Sequence, residues 1–546
     1  MNTGVLGLVL LASFLWPLIS WGQVSFDRIL GADQEPQNWL TYSGTTLSHR
    51  HSLLRQITPA NVKSLELQWI YQARSLEKFE ATALVVDGIM YTVQAPNDVI
   101  ALDAATGRVF WIFAHVPAPW TKPCCGHVNR GLAILGDTLF MATIDAHLIA
   151  IDAKNGRPLW DTTVADAKSG YALTLAPLVV KDKVIVGTAG GDYGIRGFIA
   201  AYDVHTGKEA WRFYTIPGPG DPGGSTWGGD SWQEGGGPVW ITGSYDPALN
   251  LTYWGTGNPS PDYDGDSRPG DNLYTDSVVA LDPDTGKLKW YYQFSPHDEF
   301  DWDSAQVPVL ADLEWAEKDG HQKLRKVILW ANRNGVFYVL DRTTGQFLLG
   351  KPFVQVNWMN GFDEQGRPMR VPGKTPSSEG TVIYPGNRGG TSWYSPSYSP
   401  RTGLFYVSTW DSYSSVFFKF PAKPGEDPRA GHRSLIPDDR LLPQHFRKDE
   451  EGYGSVRAID PKTGETKWEF KMADVTDAGI LTTASDLLFS GGRDGYFFAV
   501  DARTGALLWK VAVGGVLASG PMTYSVKGKQ YVAVAAGNCL FIFALR

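Results

Sequence analysis

The feature that most constrains this chain is a short pattern that returns along most of its length. An apolar or small residue and one variable residue precede Asp; Thr-Gly or Asn-Gly follows at +3 and +4, and Trp at +8. It runs as ALDAATGRVFW to Trp111, AIDAKNGRPLW to Trp160 and AYDVHTGKEAW to Trp211. It returns as ALDPDTGKLKW to Trp290, AIDPKTGETKW to Trp468 and AVDARTGALLW to Trp509. A seventh copy, VLDRTTGQFLL from Val339, has Leu349 in place of the Trp. The long interval between Asp341 and Asp460 holds SYSPRTGLFYVSTW, a turn and strand in the same style.

Such a unit reads as a strand ending at Asp, a tight turn through Gly, and a second strand carrying the Trp. Gly supplies the positive φ that the turn requires. A Trp at a fixed offset can pack under the neighbouring repeat and bury a large flat side chain between sheets. Repeats of about 40–50 residues suit four-stranded propeller blades. Asp103, Asp152 and Asp203, and later Asp460 and Asp501, keep that spacing. Seven copies plus the cryptic one predict an all-β, eight-bladed β-propeller with tryptophan-docking repeats. The 60 Gly, 21 Trp, 23 Tyr and 25 Phe agree with many short strands and tight turns. Segments 217–237 and 259–271, rich in Gly, Pro and Asp, read as excursions above the propeller.

Residues Val5 to Ile19 are apolar apart from Gly7, Ser13 and Pro17, and small or turn-prone residues follow. Residues 1–22 read as a secretory signal peptide, with an uncleaved anchor as the alternative. The remaining chain, 23–546, is then one propeller domain, exported to the periplasm. The net charge of -8 comes without any Lys/Arg block, so nucleic acid is not expected as a partner. Three Cys exclude a disulfide-rich scaffold and a Cys-based metal cluster, and no C-x-x-C-H is present for covalent haem attachment.

Propellers bind ligands at a central mouth, so site residues should be scattered in sequence. Five unusual motifs are. PCCGHVNRG places Cys124 beside Cys125. Neighbouring Cα atoms lie about 3.8 Å apart, below the usual span of a bridge, so the pair is either an unusual site feature or two structural thiols. GTAGGDYGIRG sets Asp192 among glycines that allow close backbone approach to a ligand. GTGNP puts Asn258 just past a strand end, and NRNG puts Arg333 just before a strand. In SPHDEFDWDSA, a strand would point Asp301 and Asp303 to one face. Carboxylates so placed repel unless a cation lies between them. His297, Asp298 and Glu299 read instead as a solvated acidic turn.

In combination and in order, these motifs resemble the pyrroloquinoline-quinone (PQQ) dehydrogenases of the methanol/ethanol dehydrogenase family. The resemblance implies oxidation of a primary alcohol to the aldehyde, with hydride passing to PQQ and electrons to an external carrier, expected to be a soluble cytochrome c. It implies a Cys124–Cys125 disulfide on one face of PQQ and Trp240 on the other, with Trp232 as the alternative. Arg130 matches the partner of a PQQ carboxylate. Glu80, Thr174, Gly190, Gly191, Ser392 and Trp393 match further cofactor contacts. Asp192, Asn258, Asp301 and Asp303 match metal positions; Asp301 is also the family's base, and Arg333 the cation beside the reactive carbonyl. Asp303 favours a lanthanide over Ca2+, because three carboxylates balance a trivalent ion. Four positions depart from the family: Asp192 stands for Glu, Pro238 for Thr, Ser392 for Asn and Asp477 for Trp. A non-catalytic eight-bladed scaffold, or a degenerate quinoprotein, is the alternative reading.

Overall fold

The computed structural model describes residues 24–121, 123–316, 320–419 and 452–546; the apolar N-terminal stretch lies outside them. Eight antiparallel meanders of four strands form the blades, and the seventh carries a fifth strand, His51–Ser52, paired parallel to Leu481–Thr483. The first consists of Leu84–Val86, Ile89–Gln94, Asp98–Asp103 and Val109–Phe113. Blades 2 to 5 span 132–163, 178–214, 244–293 and 309–352, and blades 6 and 7 span 397–471 and 481–512. Blade 8 is built from both ends of the described chain. Met522–Val526, Lys529–Ala536 and Cys539–Leu545 are completed by the early strand Leu65–Gln72, which pairs antiparallel with the last.

Every copy of the sequence pattern occupies the turn between the third and fourth strands of a blade. Asp103 shows why Asp is needed: its Oδ1 accepts from the backbone N–H of Ala105 at 2.9 Å and of Thr106 at 3.0 Å. The Gly107 N–H donates to the Asp103 carbonyl at 2.8 Å, and Gly107 holds φ of 74°. The register shifts by one residue just after this turn, a β-bulge seen in all seven copies. The Asp103 N–H donates to the Arg108 carbonyl at 2.8 Å, so the left-handed Gly and the bulge close a hairpin of four loop residues, Ala104 to Gly107.

The +8 Trp docks on the next blade. The Trp111 ring lies over Gly156, where an added Cβ would sit 2.5 Å from a ring carbon. Its Nε1 donates to the carbonyl of Ala153, the residue after the next Asp. The same bond joins Trp160 to Val204, Trp211 to Pro283, Trp290 to Arg342 and Trp468 to Ala502. Leu349, lacking an indole, covers Gly464 by packing alone.

The eighth blade differs from its sequence reading. SYSPRTGLFYVSTW is not a separate blade: Ser397–Ser399 and Leu404–Asp411 are the first two strands of the blade that ends in the Asp460 copy. The closing blade has no Asp-Thr-Gly turn because its fourth strand comes from the other end of the chain. Trp69 of that strand still docks on Gly107. The Ala104 carbonyl there takes the Tyr524 hydroxyl at 2.6 Å, and the Trp69 Nε1 is buried without a hydrogen-bond partner among the described residues.

Gly156→Ala would force a Cβ into Trp111 at a positive φ, so a loss of about 2–4 kcal/mol is expected. Gly220→Ala has a similar φ of 87° but open space around it, and only the conformational cost of about 1 kcal/mol should appear. Denaturant midpoints of the two variants test the docking interaction; equal losses would count against it.

Candidate active site

One cavity at the mouth is lined by all fifteen residues singled out above: Glu80, Cys124, Cys125, Arg130, Thr174, Gly190, Gly191, Asp192, Trp240, Asn258, Asp301, Asp303, Arg333, Ser392 and Trp393. They come from connections above six blades. Lys78, Val128, Ala189, Pro238, Arg388 and Tyr394 complete the lining. Trp232 does not line it; Arg196 covers its ring at 4.7 Å.

One end of the cavity is aromatic and basic. Cys124 and Cys125 are joined as a disulfide, with Cys125 at φ of 68°. The Arg130 guanidinium lies 4.9 Å from the Trp240 ring centre and 4.7 Å from that of Trp393. Its Nη2 pairs with Glu80 Oε2 at 2.9 Å, and its Nη1 donates to Thr174 Oγ1 at 2.9 Å. Burial pushes the Glu80 carboxyl up, opposed by the charge of Arg130. The Arg130 Nε is buried with no hydrogen-bond partner among the described residues. The protein therefore leaves part of this guanidinium's donor capacity unused. Two indole rings, a disulfide and an incompletely satisfied Arg suit a flat, anionic, aromatic ligand.

The other end is acidic. Asp192 sits in a one-turn 3-10 segment, Gly191–Tyr193, between two left-handed glycines. Asn258 follows the strand Leu251–Gly255. The FDWD segment is not a strand: Asp301 has φ of 60°, and residues 301–305 are irregular. Asp301 and Asp303 nonetheless converge, because one guanidinium holds both. Arg333 Nη1 meets Asp303 Oδ2 at 2.7 Å, and Nη2 meets Asp301 Oδ2 at 3.3 Å. Nε and Nη2 of Arg333 also donate to the Asn387 carbonyl at 2.9 and 2.7 Å, which fixes the plane of the fork. Asp303 Oδ1 accepts from the Asn258 N–H at 2.9 Å, and Tyr263 donates to Asp301 Oδ2 at 3.4 Å.

Two glycines permit this crowding. A Cβ on Gly257 would lie 2.1 Å from Asp303 Oδ1, and one on Gly191 would lie 3.0 Å from Asn258 Oδ1. Both would also strike the Pro238 ring at 2.7 Å, so Pro238 wedges between the segments carrying Asp192 and Asn258. Asp298 and Glu299 are buried, not solvated. Asp298 accepts from the backbone of Phe300 and Trp302, and Glu299 pairs with Arg370 at 2.9 Å.

A further carboxylate, Asp262, belongs to this cluster; sequence reading passed over it because it lay in an excursion with four acidic residues. Asn258 Nδ2 donates to its Oδ1 at 2.6 Å. Burial, then mutual repulsion, pushes Asp192, Asp262 and Asp301 up; Arg333 opposes this at Asp301. Asp192 keeps an exposed surface because it lines this cavity and an adjoining one shared with Asp262. Hard oxygen donors that repel one another are the donor set a Ca2+ or lanthanide ion relieves.

The family model described as "PQQ: Glucose/ethanol/alcohol dehydrogenase, beta-propeller domain" matches residues 39–357 and 362–532. The chain belongs to the PQQ-dependent alcohol dehydrogenases. The quinohemoprotein alcohol dehydrogenase ADH IIB of Pseudomonas putida is 39% identical over 533 residues, covering 93% of this chain and 74% of that protein. The lanthanide-dependent methanol dehydrogenase of Methylacidiphilum fumariolicum (strain SolV) is 36% identical over 542 residues, covering 94% and 86%. A solved europium-containing methanol dehydrogenase aligns with a TM-score of 0.86 at 33% identity, covering 95% of this chain and 100% of that one. As a PQQ-dependent alcohol dehydrogenase, the protein is an oxidoreductase of alcohols that uses PQQ with a metal ion.

Gly257→Ala should break the acidic end while leaving the blades intact. Asp303 must move away from Arg333 and Asn258, and metal affinity should fall about tenfold or more. Calorimetric metal titration of the folded variant checks this; wild-type affinity would rule the packing argument out.

Proposed function

We propose that this enzyme oxidises a small primary alcohol to its aldehyde in the periplasm and passes the electrons to a soluble cytochrome c. The observation that carries the reading is the union, in one cavity, of a ring-clamping basic end with an acidic end held by Arg333. When bound, PQQ supplies the two-electron acceptor for the alcohol's hydride, and the metal ion supplies Lewis acidity. The protein's own residues bind, orient and move the proton.

The Cys124–Cys125 disulfide and Trp240 would hold the two faces of the cofactor. Arg130 would pair with one of its carboxylates through the donor capacity left over from Glu80 and Thr174. Gly190 and Gly191 lack side chains where the ring must approach backbone. Ser392 and Trp393 would line the remaining edge. Asp192, Asn258, Asp301 and Asp303 would ligate the metal.

Asp301 would accept the alcohol's hydroxyl proton. Its burial and its acidic neighbours raise its proton affinity and strengthen it as a base, and the Arg333 guanidinium 3.3 Å away opposes that rise. Arg333, anchored on Asn387, also presents fixed positive charge where negative charge develops. We infer a lanthanide rather than Ca2+, from the number of carboxylates gathered at the acidic end, Asp262 as well as Asp192, Asp301 and Asp303.

The full chain reconstituted with PQQ and metal should reduce an artificial dye in an alcohol-dependent way. Asp301→Asn should retain PQQ yet lose at least about a hundredfold in turnover, because an amide cannot take the proton at neutral pH. A variant with normal metal content and near wild-type turnover would remove Asp301 from that role.

Trp240→Ala and Arg130→Ala should each weaken PQQ binding about tenfold or more, from lost stacking and a lost charge-assisted pair. Equilibrium PQQ binding to the folded variants is the check, and unchanged affinity in both would misplace the cofactor.

A further inference from the structure

Three carboxylates were set against a trivalent ion in the sequence, but that count omits a charge which the structure supplies. Arg333 touches both Asp301 and Asp303, at 3.3 and 2.7 Å. Burial does not neutralise it, because a guanidinium keeps its proton inside proteins. Asp192, Asp301 and Asp303 with Arg333 therefore carry only two net negative charges. That suits a divalent ion as well as a trivalent one.

With a cation in the site to favour its ionised form, Asp262 restores the third. Its carboxylate lies within hydrogen-bond distance of Asn258 Nδ2, at 2.6 Å, and lines the adjoining cavity with Asp192. The nearest other cation, Arg268, is fully buried beneath the same loop. It spends its donors on Asn272 Oδ1 and on the carbonyls of Pro261, Asp262 and Asp298. The carboxylates facing it most strongly are Asp298, Glu299 and Asp276, ahead of Asp262.

Asp262 also decides which way the Asn258 amide faces. Only the amide oxygen of Asn can ligate a cation, and the amide nitrogen can only donate. Both atoms near Nδ2 are pure acceptors: Asp262 Oδ1 at 2.6 Å and the Pro259 carbonyl at 3.3 Å. Oδ1 is thereby turned toward Gly191, beside Asp192.

We propose that Asp262 is a positioning and specificity-determining residue of the metal centre: it turns the Asn258 oxygen toward the ion and supplies the charge that selects a trivalent over a divalent cation. This rests on Asp192, Asn258, Asp301 and Asp303 being the ligands. A one-charge change acts more strongly on a trivalent ion than on a divalent one at the same distance. Because Asp262 acts from behind Asn258, it needs no direct bond to the ion.

Two substitutions separate the roles. Asp262→Asn keeps an acceptor for Asn258 Nδ2 but removes the charge; Asp262→Ala removes both. Metal-free full-length protein is titrated by calorimetry with lanthanum chloride and with calcium chloride, with Asp303→Ala in parallel. Wild type should bind La3+ more tightly than Ca2+. Asp262→Asn should lose about tenfold more affinity for La3+ than for Ca2+. Asp262→Ala should weaken both ions further, with Asp262→Asn partly rescuing Ca2+ binding. Equal losses for the two ions in Asp262→Asn refute charge selection. Wild-type affinities in both Asp262 variants, with binding lost in Asp303→Ala, overturn the proposal and leave the ligand set standing. Wild-type binding in Asp303→Ala as well would overturn the ligand set and this proposal together.

Discussion

The docking of one blade's Trp on the next blade's Gly is the interaction on which the rest of this structure depends. The indoles of Trp111, Trp160, Trp211, Trp290 and Trp468 each cover a left-handed Gly and donate to a carbonyl fixed by the Asp turn, so strand ends in adjacent blades are held in one relation. No loop at the mouth would have a defined position without that relation. The cavity takes side chains from residues as far apart as Lys78 and Tyr394. Only a closed ring can bring such distant segments together and keep them within hydrogen-bonding tolerance. Closure itself comes from Leu65–Gln72 pairing with Cys539–Leu545. That pairing spends no turn motif and costs chain entropy, which the neighbouring Trp69 contact helps to offset.

The acidic end follows a second constraint, the repulsion of carboxylates in a recess with little solvent screening. Arg333 answers part of it, and its own orientation is set by the Asn387 carbonyl. The close approach then requires Gly191 and Gly257, since a methyl group at either would strike the Asn258 or Asp303 side-chain oxygen and the Pro238 ring. Pro238 thus has a packing role that its lack of a hydroxyl does not affect. Asp477, another departure from the family pattern, stands behind the cavity wall. It pairs with Arg493 at 3.0 Å, whose guanidinium covers Trp410 at 4.6 Å. Its charge is met by that Arg, and its side chain also hydrogen-bonds Tyr394, which lines the cofactor cavity.

Legibility in the sequence divided along the range of the interactions. Motifs whose meaning is local were readable: the Asp turn, the left-handed Gly and the +8 Trp act within about ten residues or on an identical copy of themselves. Of the fifteen cavity residues, Cys124, Cys125, Asp192, Asn258, Asp301, Asp303 and Arg333 stood out in unusual motifs; the others were legible only through family resemblance, because nothing local connects Glu80 with Trp393. Three readings failed for want of long-range information. SYSPRTGLFYVSTW was taken as its own blade because strand order is invisible in a linear pattern. FDWD was read as a strand, though Asp301 adopts a positive φ set by its surroundings. Asp298 and Glu299 were read as solvated, yet Arg370 and local backbone N–H groups hold them inside.

By itself the sequence determined the class of fold, the number of blades and the chemistry available at the mouth, since these follow from repeated local units and from residue types. The tertiary structure alone decided which strand closes the ring, which Trp faces the cavity, and the charge balance of the acidic end. Charge balance depends on distance, and the distances from Asp303 to Arg333 and from Asn258 to Asp262 are set by packing among blades and loops.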